Sequence, residues 1–389
     1  MTSVTRFFHK PGGSFFLFGP RGTGKSTWLK EHYAGAIMID LLDRHAFRLF
    51  AAHPERLIDR VTSESSQRVV VIDEVQKIPE LLDVVHKLME DNPDRTFILT
   101  GSSARKLKRA GVDLLAGRAA LKTFHPFMAA ELGSNFDLSS ALTNGLLPVV
   151  YSSVDPKEAL QAYIGLYIEQ EVKAEAVVRD VGGFARLLET LSFSHGSVLN
   201  ITGVARESQV NRNTAQTHIE VLEDLLLSFR VPVFSKRAKR HLIQHPKFYF
   251  VDAGIFRSVR PRGPLDRPEE MSGAALEGLV AQHLRAWLAY RPGDDTKLFY
   301  WQTKSGVEVD FIVYGENTFV AIEVKNAARV YRSDVSSLRT FGKDYPEAQT
   351  FLVYQGRERL VVDDVLCVPC DEFLRHLHPQ DSLANAFTA

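Results

Sequence analysis

The stretch FFLFGPRGTGKSTWLKEHY, Phe15 to Tyr33, restricts the fold more than any other part of the chain. Four apolar residues, Phe15 to Phe18, read as a buried strand, and a helical stretch follows the loop Gly19, Pro20, Arg21, Gly22, Thr23, Gly24, Lys25, Ser26 and Thr27. Glycines at this spacing let backbone amides curl around phosphate oxygens at a helix N-terminus. Lys25 is then expected to reach the β- and γ-phosphates of ATP, and the Ser26 hydroxyl to bind Mg²⁺. A strand, a phosphate loop and a helix in this order predict an α/β domain with Gly19 to Thr27 as its nucleotide-binding residues.

A second apolar run, VVVIDE, ends in Asp73 and Glu74. In-line phosphoryl transfer needs charge neutralisation and an oriented water, so Asp73 is expected in the Mg²⁺ shell and Glu74 as the group that polarises the water. A third strand, TFILTGSS, brings Thr100, Ser102 and Ser103 to its C-terminal end, the edge at which open α/β sheets bind ligands. Farther on, LLAGRA carries Arg118.

This order resembles the AAA+ ATPases. More narrowly, GPRGTGKST, VVIDEVQKIPELLDVVHKLME, FILTGSS and LLAGRA look like a prokaryotic AAA-type family whose ATPase is followed by a long C-terminal region of uncharacterised function. The resemblance implies ATP hydrolysis at residues 1–135. It also implies a homo-oligomer in which Arg118 reaches the γ-phosphate held by a neighbouring subunit. Thr100 and the serines stand where many AAA+ proteins have an asparagine sensor.

With 389 residues, two to four domains are expected. Net charge is zero, so attraction to nucleic acid or membrane must come from local patches. Two cysteines, Cys367 and Cys370, fall short of a four-ligand zinc site and are expected as free thiols in a reducing compartment. With no basic-then-apolar leader and no long apolar run, a cytoplasmic protein without membrane contact is expected.

Helical spacing over 136–190 predicts the small lid that follows such cores. Residues 191–262 read as a winged helix, with Arg212, Asn213, Gln216 and Thr217 opening a helix whose apolar side is Ala215, Ile219, Leu222 and Leu226. No acid lies between Asp224 and Asp252, whereas Arg230, Lys236, Arg237, Lys239, Arg240 and Lys247 do, which predicts a basic wing and DNA as a partner. ARKLKRAG, Ala104 to Gly111, is a second basic run and reads as a solvated helix face.

Near the C-terminus, GVEVDFIVYGENTFVAIEVK reads as a hairpin. Strict alternation places Glu308, Asp310, Ile312 and Tyr314 on one side and Val307, Val309, Phe311 and Val313 on the other. An even loop around Glu316 and Asn317 sets Asp310 opposite Glu323. Two carboxylates about 4 Å apart repel by roughly 4 kcal/mol at an effective dielectric of about 20, so a hard cation, Mg²⁺ or Mn²⁺, is expected between them. Glu277 faces the packed side of its helix and supplies a third acid. Helix Glu, strand Asp and Glu-x-Lys resemble the PD-(D/E)XK nucleases. That resemblance implies a restriction-endonuclease-like α/β domain over 263–389, with Glu277, Asp310 and Glu323 as metal ligands. It makes Lys325 the residue that positions water, with Gln302 joining the group. The expected function is an ATP-hydrolysing, DNA-binding protein with metal-dependent phosphodiester cleavage. The alternative is an ATPase regulator that binds DNA or protein and cuts nothing.

Overall fold

Apolar runs without polar alternation form strands buried on both faces, the habit of parallel sheets. Such runs build β1 (Phe15–Phe18), β3 (Val69–Asp73) and β4 (Thr96–Gly101) at the centre of a parallel sheet of order β2-β3-β4-β1-β5, whose edges are the less buried β2 (Ile37–Asp40) and β5 (Ala120–Thr123). Helices α1 (Lys25–His32), α2 (Arg44–Ala52), α3 (Arg56–Ser63) and α4 (Leu81–Asp91) connect them. Leu57 and Val61 of α3 and Leu81, Leu82, Val85 and Leu88 of α4 pack with Phe16, Ile39, Val70, Ile72 and Leu99 in one core. The computed structural model describes residues 4–388 except 65, 103–114, 169–179, 237–241, 265, 292 and 294. Ser103, the run Ala104 to Gly111, Arg237, Lys239 and Arg240 therefore lie outside the described residues.

This sheet and its helices form one compact unit, Phe8–His125 with Glu223–Leu226; Met1–Phe7, Pro126–Leu222 and Leu227–Ala389 form the other. The second unit includes the segment expected as a helical lid, and polar ties account for that. Gln282 donates to the Phe127 carbonyl (3.1 Å), the Ala129 N–H to His283 Nε2 (2.9 Å), and Arg375 Nη2 to the Phe136 carbonyl (2.7 Å). Asp252 accepts from the N–H groups of Leu146 (2.6 Å) and Gly254 (2.8 Å), joining α5 (Leu138–Asn144) to the helix that Asp252 caps.

Beyond α6 (Pro156–Ala162), the order is α7 (Val181–Ser192), β6 (Ser197–Val198), α8 (Ile201–Glu207), α9 (Arg212–Asp224), β7 (Ser228–Val231), β8 (Lys247–Phe250) and α10 (Ala253–Val259). The three strands pair antiparallel in the order β6-β8-β7. Asn211 caps α9 by accepting from the Thr214 N–H (2.7 Å), and Ala215, Ile219 and Leu222 are buried as the spacing predicts. Leu226 is outside the helix, at φ 58°.

The remainder places α11 (Pro268–Tyr290) and α12 (Ser336–Asp344) against a mixed sheet. That sheet contains β9 (Lys297–Gln302), β10 (Glu308–Gly315), β11 (Thr318–Lys325), β12 (Gln349–Tyr354), β13 (Leu360–Val362) and β14 (Val365–Pro369), in the order β13-β14-β12-β11-β10-β9. Strands β9, β10 and β11 are antiparallel, while β12 runs parallel to β11 because the chain crosses over through α12. Gly315 pairs with Thr318, so the hairpin loop is the even, two-residue Glu316-Asn317.

One expectation for this hairpin fails. A register shift against β9 between Val309 and Ile312 brings both residues into the core that Leu338 and Phe341 of α12 share with Ala321 and Leu352. The bulge breaks the strict alternation, and Asp310 and Ile312 do not share a side. Neither face is an exposed polar one, since Phe311, Ile312, Val313, Ala321 and Ile322 are all buried.

Candidate functional site

In the first unit, the order β3-β4-β1 gathers three loop ends at one sheet edge. Gly19 follows β1 where an added Cβ would lie 2.5 Å from the Phe124 carbonyl oxygen, so only glycine fits. Gly22 and Gly24 have φ of 78° and 90°, and Gly24 precedes α1. Lys25 is buried and donates to the carbonyls of Gly19 (2.6 Å) and Pro20 (3.2 Å), while Thr23 Oγ1 closes the loop on Pro20 (2.8 Å). Ser26 Oγ donates to Asp73 Oδ2 at 2.6 Å, and Thr100 Oγ1 donates to the other carboxylate oxygen. A hydroxyl and a carboxylate in contact are a hard-oxygen donor set that fits Mg²⁺. Arg21 is exposed on the same loop and Thr27 on the first turn of α1.

Glu74 has φ 62°, a left-handed conformation uncommon outside glycine, and its N–H donates to Thr100 Oγ1 (3.2 Å). Gln76 holds its carboxylate: Nε2 donates to Glu74 Oε2 (2.5 Å) and to Ser102 Oγ (3.2 Å). Reading the sequence missed Gln76, although its position two residues after the acid was the available signal. Arg118 is exposed and pairs with Glu90 (2.9 Å) and His86 of α4, within its own chain.

In the second unit, the hairpin acids come together around two lysines. Lys247 of β8 is 1% exposed and forms ion pairs with Glu277 (2.9 Å), Asp310 (3.2 Å) and Glu308. The basic stretch predicts it as a wing residue facing DNA. It is instead an internal counter-ion, because β8 directs it toward the acids of α11 and β10. The signal was a lysine opening the apolar strand KFYF. Glu277 also accepts from Tyr249 Oη (2.6 Å), and Asp310 from the Val324 N–H (2.9 Å). Glu323 accepts from Lys325 Nζ (2.6 Å) and Ser337 Oγ (3.1 Å).

Burial pushes Glu277 up to about 7 against the pull of Lys247. Burial, and next the charge of Asp310, push Glu323 up to about 8 although Lys325 opposes it. The lysines move upward too. Burial works against both, but Glu277 and its neighbours hold Lys247 far above the ordinary lysine value, and Glu323 raises Lys325. Glu277, Glu308, Asp310 and Glu323 thus face two lysines, and acid exceeds base in a buried place.

Among the described residues, no group of three His, Cys, Asp or Glu side chains is arranged to hold a metal ion. The expected triad of Glu277, Asp310 and Glu323 is corrected accordingly: Lys247 is paired with both Glu277 and Asp310, Tyr249 also donates to Glu277, and Glu323 is held by Lys325. Gln302 pairs with Glu308 in the β9–β10 register, and its Oε1 lacks a hydrogen-bond partner among the described residues. Cys367 and Cys370 are free and buried. At the start of α9, the cap Asn211 and Arg212, Asn213, Thr214, Thr217 and His218 line a surface cleft, while Gln216 is tied to Glu220 (2.7 Å). Lys236 is exposed over the Tyr314 ring. No helix among the described residues is long and apolar enough to cross a membrane.

Comparison with known proteins bears on this geometry. Residues 135–266 and 272–373 match two families, each described as a domain of unknown function (DUF8612 and DUF4143). An uncharacterized protein of Mycobacterium tuberculosis (strain ATCC 25618 / H37Rv) is 29% identical over 315 residues, covering 79% of this chain and 69% of that protein. An uncharacterized protein of Haemophilus influenzae is 23% identical over 223 residues, covering 52% and 55%. The crystal structure of a Vibrio cholerae protein covers 91% of this chain and 98% of that chain at 13% identity, with a TM-score of 0.24. Residues 12–133 match the AAA domain family, and with the parallel sheet and its phosphate loop this supports an AAA-type ATPase.

Proposed function

We propose that this chain is a Mg²⁺-dependent ATPase that binds DNA through α8, α9 and the basic stretch before β8, and that its hairpin site cleaves a phosphodiester bond. In this reading the units divide as ATPase core, helical segment, winged helix and nuclease-like domain. The observation that carries the nuclease-like part is the pair Asp310 and Glu323, at 7% and 5% exposure, with Lys325 against Glu323. A divalent cation there, Mg²⁺ or Mn²⁺, would act as Lewis acid and supply an activated water. Lys325 balances the charge that develops as water attacks phosphorus and the bond to the leaving oxygen breaks. Lys247, paired with Glu277, Glu308 and Asp310, holds the first two back from the substrate and would have to release Asp310 to the cation. At the ATPase site, Lys25 takes the phosphate charge, Ser26 and Asp73 offer the metal ligands, and Glu74, held by Gln76, polarises the water. Arg118 would act on a neighbouring subunit only after leaving Glu90.

Lys247 favours a second reading. A lysine already compensates three of the acids, as it would in a regulator that binds DNA or protein without cutting. Labelled linear, supercoiled and branched DNA, incubated with the protein in Mg²⁺ or Mn²⁺, separates the two. Cleavage lost in Asp310→Asn supports the first reading; intact DNA with normal ATP turnover leaves the second.

A further inference from the structure

A cleft in the second unit holds a cation with no acid paired to it among the described residues. Arg257 of α10 is half-buried; Nη2 donates to Ser272 Oγ (3.3 Å), and the buried Nε has no hydrogen-bond partner among the described residues. Burial, and next the charge of Arg262, lower its pKa, as happens to a positive charge with too little negative charge around it. Ser139, Thr143, Ser272, Asn326 and Gln355 line the cleft with hydroxyls and amides, and Glu269 is its one acid among the described residues. Glu269 is exposed, and its carbonyl oxygen accepts from Asn326 Nδ2 (3.0 Å).

Two further features favour an anion. Pro268 also lines the cleft and opens α11, a helix of 23 residues without a side-chain cap, so the positive end of its dipole lies there, offset in part by Glu269 and Glu270. Asn326 directly follows Lys325, which sets the cleft beside the hairpin site.

We propose that this cleft is a phosphate subsite, in which Arg257 and the surrounding hydroxyl and amide groups bind phosphoryl oxygens. A planar guanidinium presents paired N–H donors in the fork geometry that phosphate takes. The subsite rests on the nucleic-acid reading for the source of its phosphate, a strand whose neighbouring bond reaches Asp310 and Glu323. Free phosphate offers the same chemistry.

The experiment has two arms on the full chain. Inorganic phosphate is titrated against thermal unfolding in a Lys25→Ala background, which removes the competing phosphate loop. Phosphate should raise the Tm with Arg257 present, retain part of the effect in Arg257→Lys and lose it in Arg257→Gln. A fluorescein-labelled duplex is followed by anisotropy in an Asp310→Asn background. Arg257→Gln should weaken binding by roughly tenfold and reduce the log-log salt slope by about 1. A phosphate effect indifferent to Arg257, together with unchanged duplex affinity, overturns the subsite. An Arg257-dependent phosphate effect without duplex binding supports the subsite with free phosphate as ligand, and it is the nucleic-acid reading that then fails.

Discussion

Single residues decide whether each site is charged, and two substitutions test that. Lys25 neutralises the phosphates in the proposed ATPase, so Lys25→Ala should reduce phosphate release from ATP by roughly 10²–10³-fold, the scale of losing one preorganised charge stabiliser. Lys247→Ala would leave Glu277, Glu308 and Asp310 without their shared cation. Breaking a buried pair in this way costs about 3–5 kcal/mol, measurable by urea unfolding. Mg²⁺ should then raise the Tm of the variant more than that of the parent, and equal shifts would argue against a cation place at the hairpin. The acids were legible because charge on an apolar strand is conspicuous. Lys247 was not, because a lysine in a basic stretch looks the same in sequence whether its strand directs it outward or inward.

At the scale of the element, the β10–β11 hairpin joins the acids to stability through pH. Glu323 is pushed from 4.5 up to about 8, first by burial. A carboxyl group raised on folding contributes stability that is complete below its unfolded pKa and is lost as pH rises through its folded one. The Tm should therefore carry a downward slope from Glu323 between about pH 4.5 and about pH 8, and Glu323→Gln should flatten it. A divalent cation bound there should release a proton near pH 7, which calorimetry in buffers of different ionisation enthalpy would detect. That the loop is even followed from needing Asp310 and Glu323 on one side; that it is two residues long, Glu316 and Asn317, came from the strand pairing. The bulge at Val309 was not legible in the sequence, since it arises from how β10 meets β9 and α12 rather than from a local turn signal.

Over the whole molecule, the two units should respond separately to ligands. ATP with Mg²⁺ at a hundred times its Kd should stabilise the ATPase unit by about 2.7 kcal/mol, seen as slower amide exchange in β1, β3 and β4, and Lys25→Ala should abolish the effect. With Lys247 buried, fewer wing cations remain to meet phosphate, and DNA binding should follow a log-log salt slope of about −2. A slope near zero would place any DNA contact elsewhere.

The strand, loop and helix around Lys25, the Asp73–Glu74 strand end and the hairpin acids were determined by sequence alone, because each depends on spacing within a few residues. Tertiary structure decided the rest. Leu146 and Phe136, in the segment expected as a lid, are tied into the second unit by Asp252 and Arg375, more than 100 residues away. Lys247 likewise acquires Glu277, Glu308 and Asp310 only when β8, α11 and β10 meet. Buried charge finds its partner through space, and a linear pattern records the charge but not the meeting.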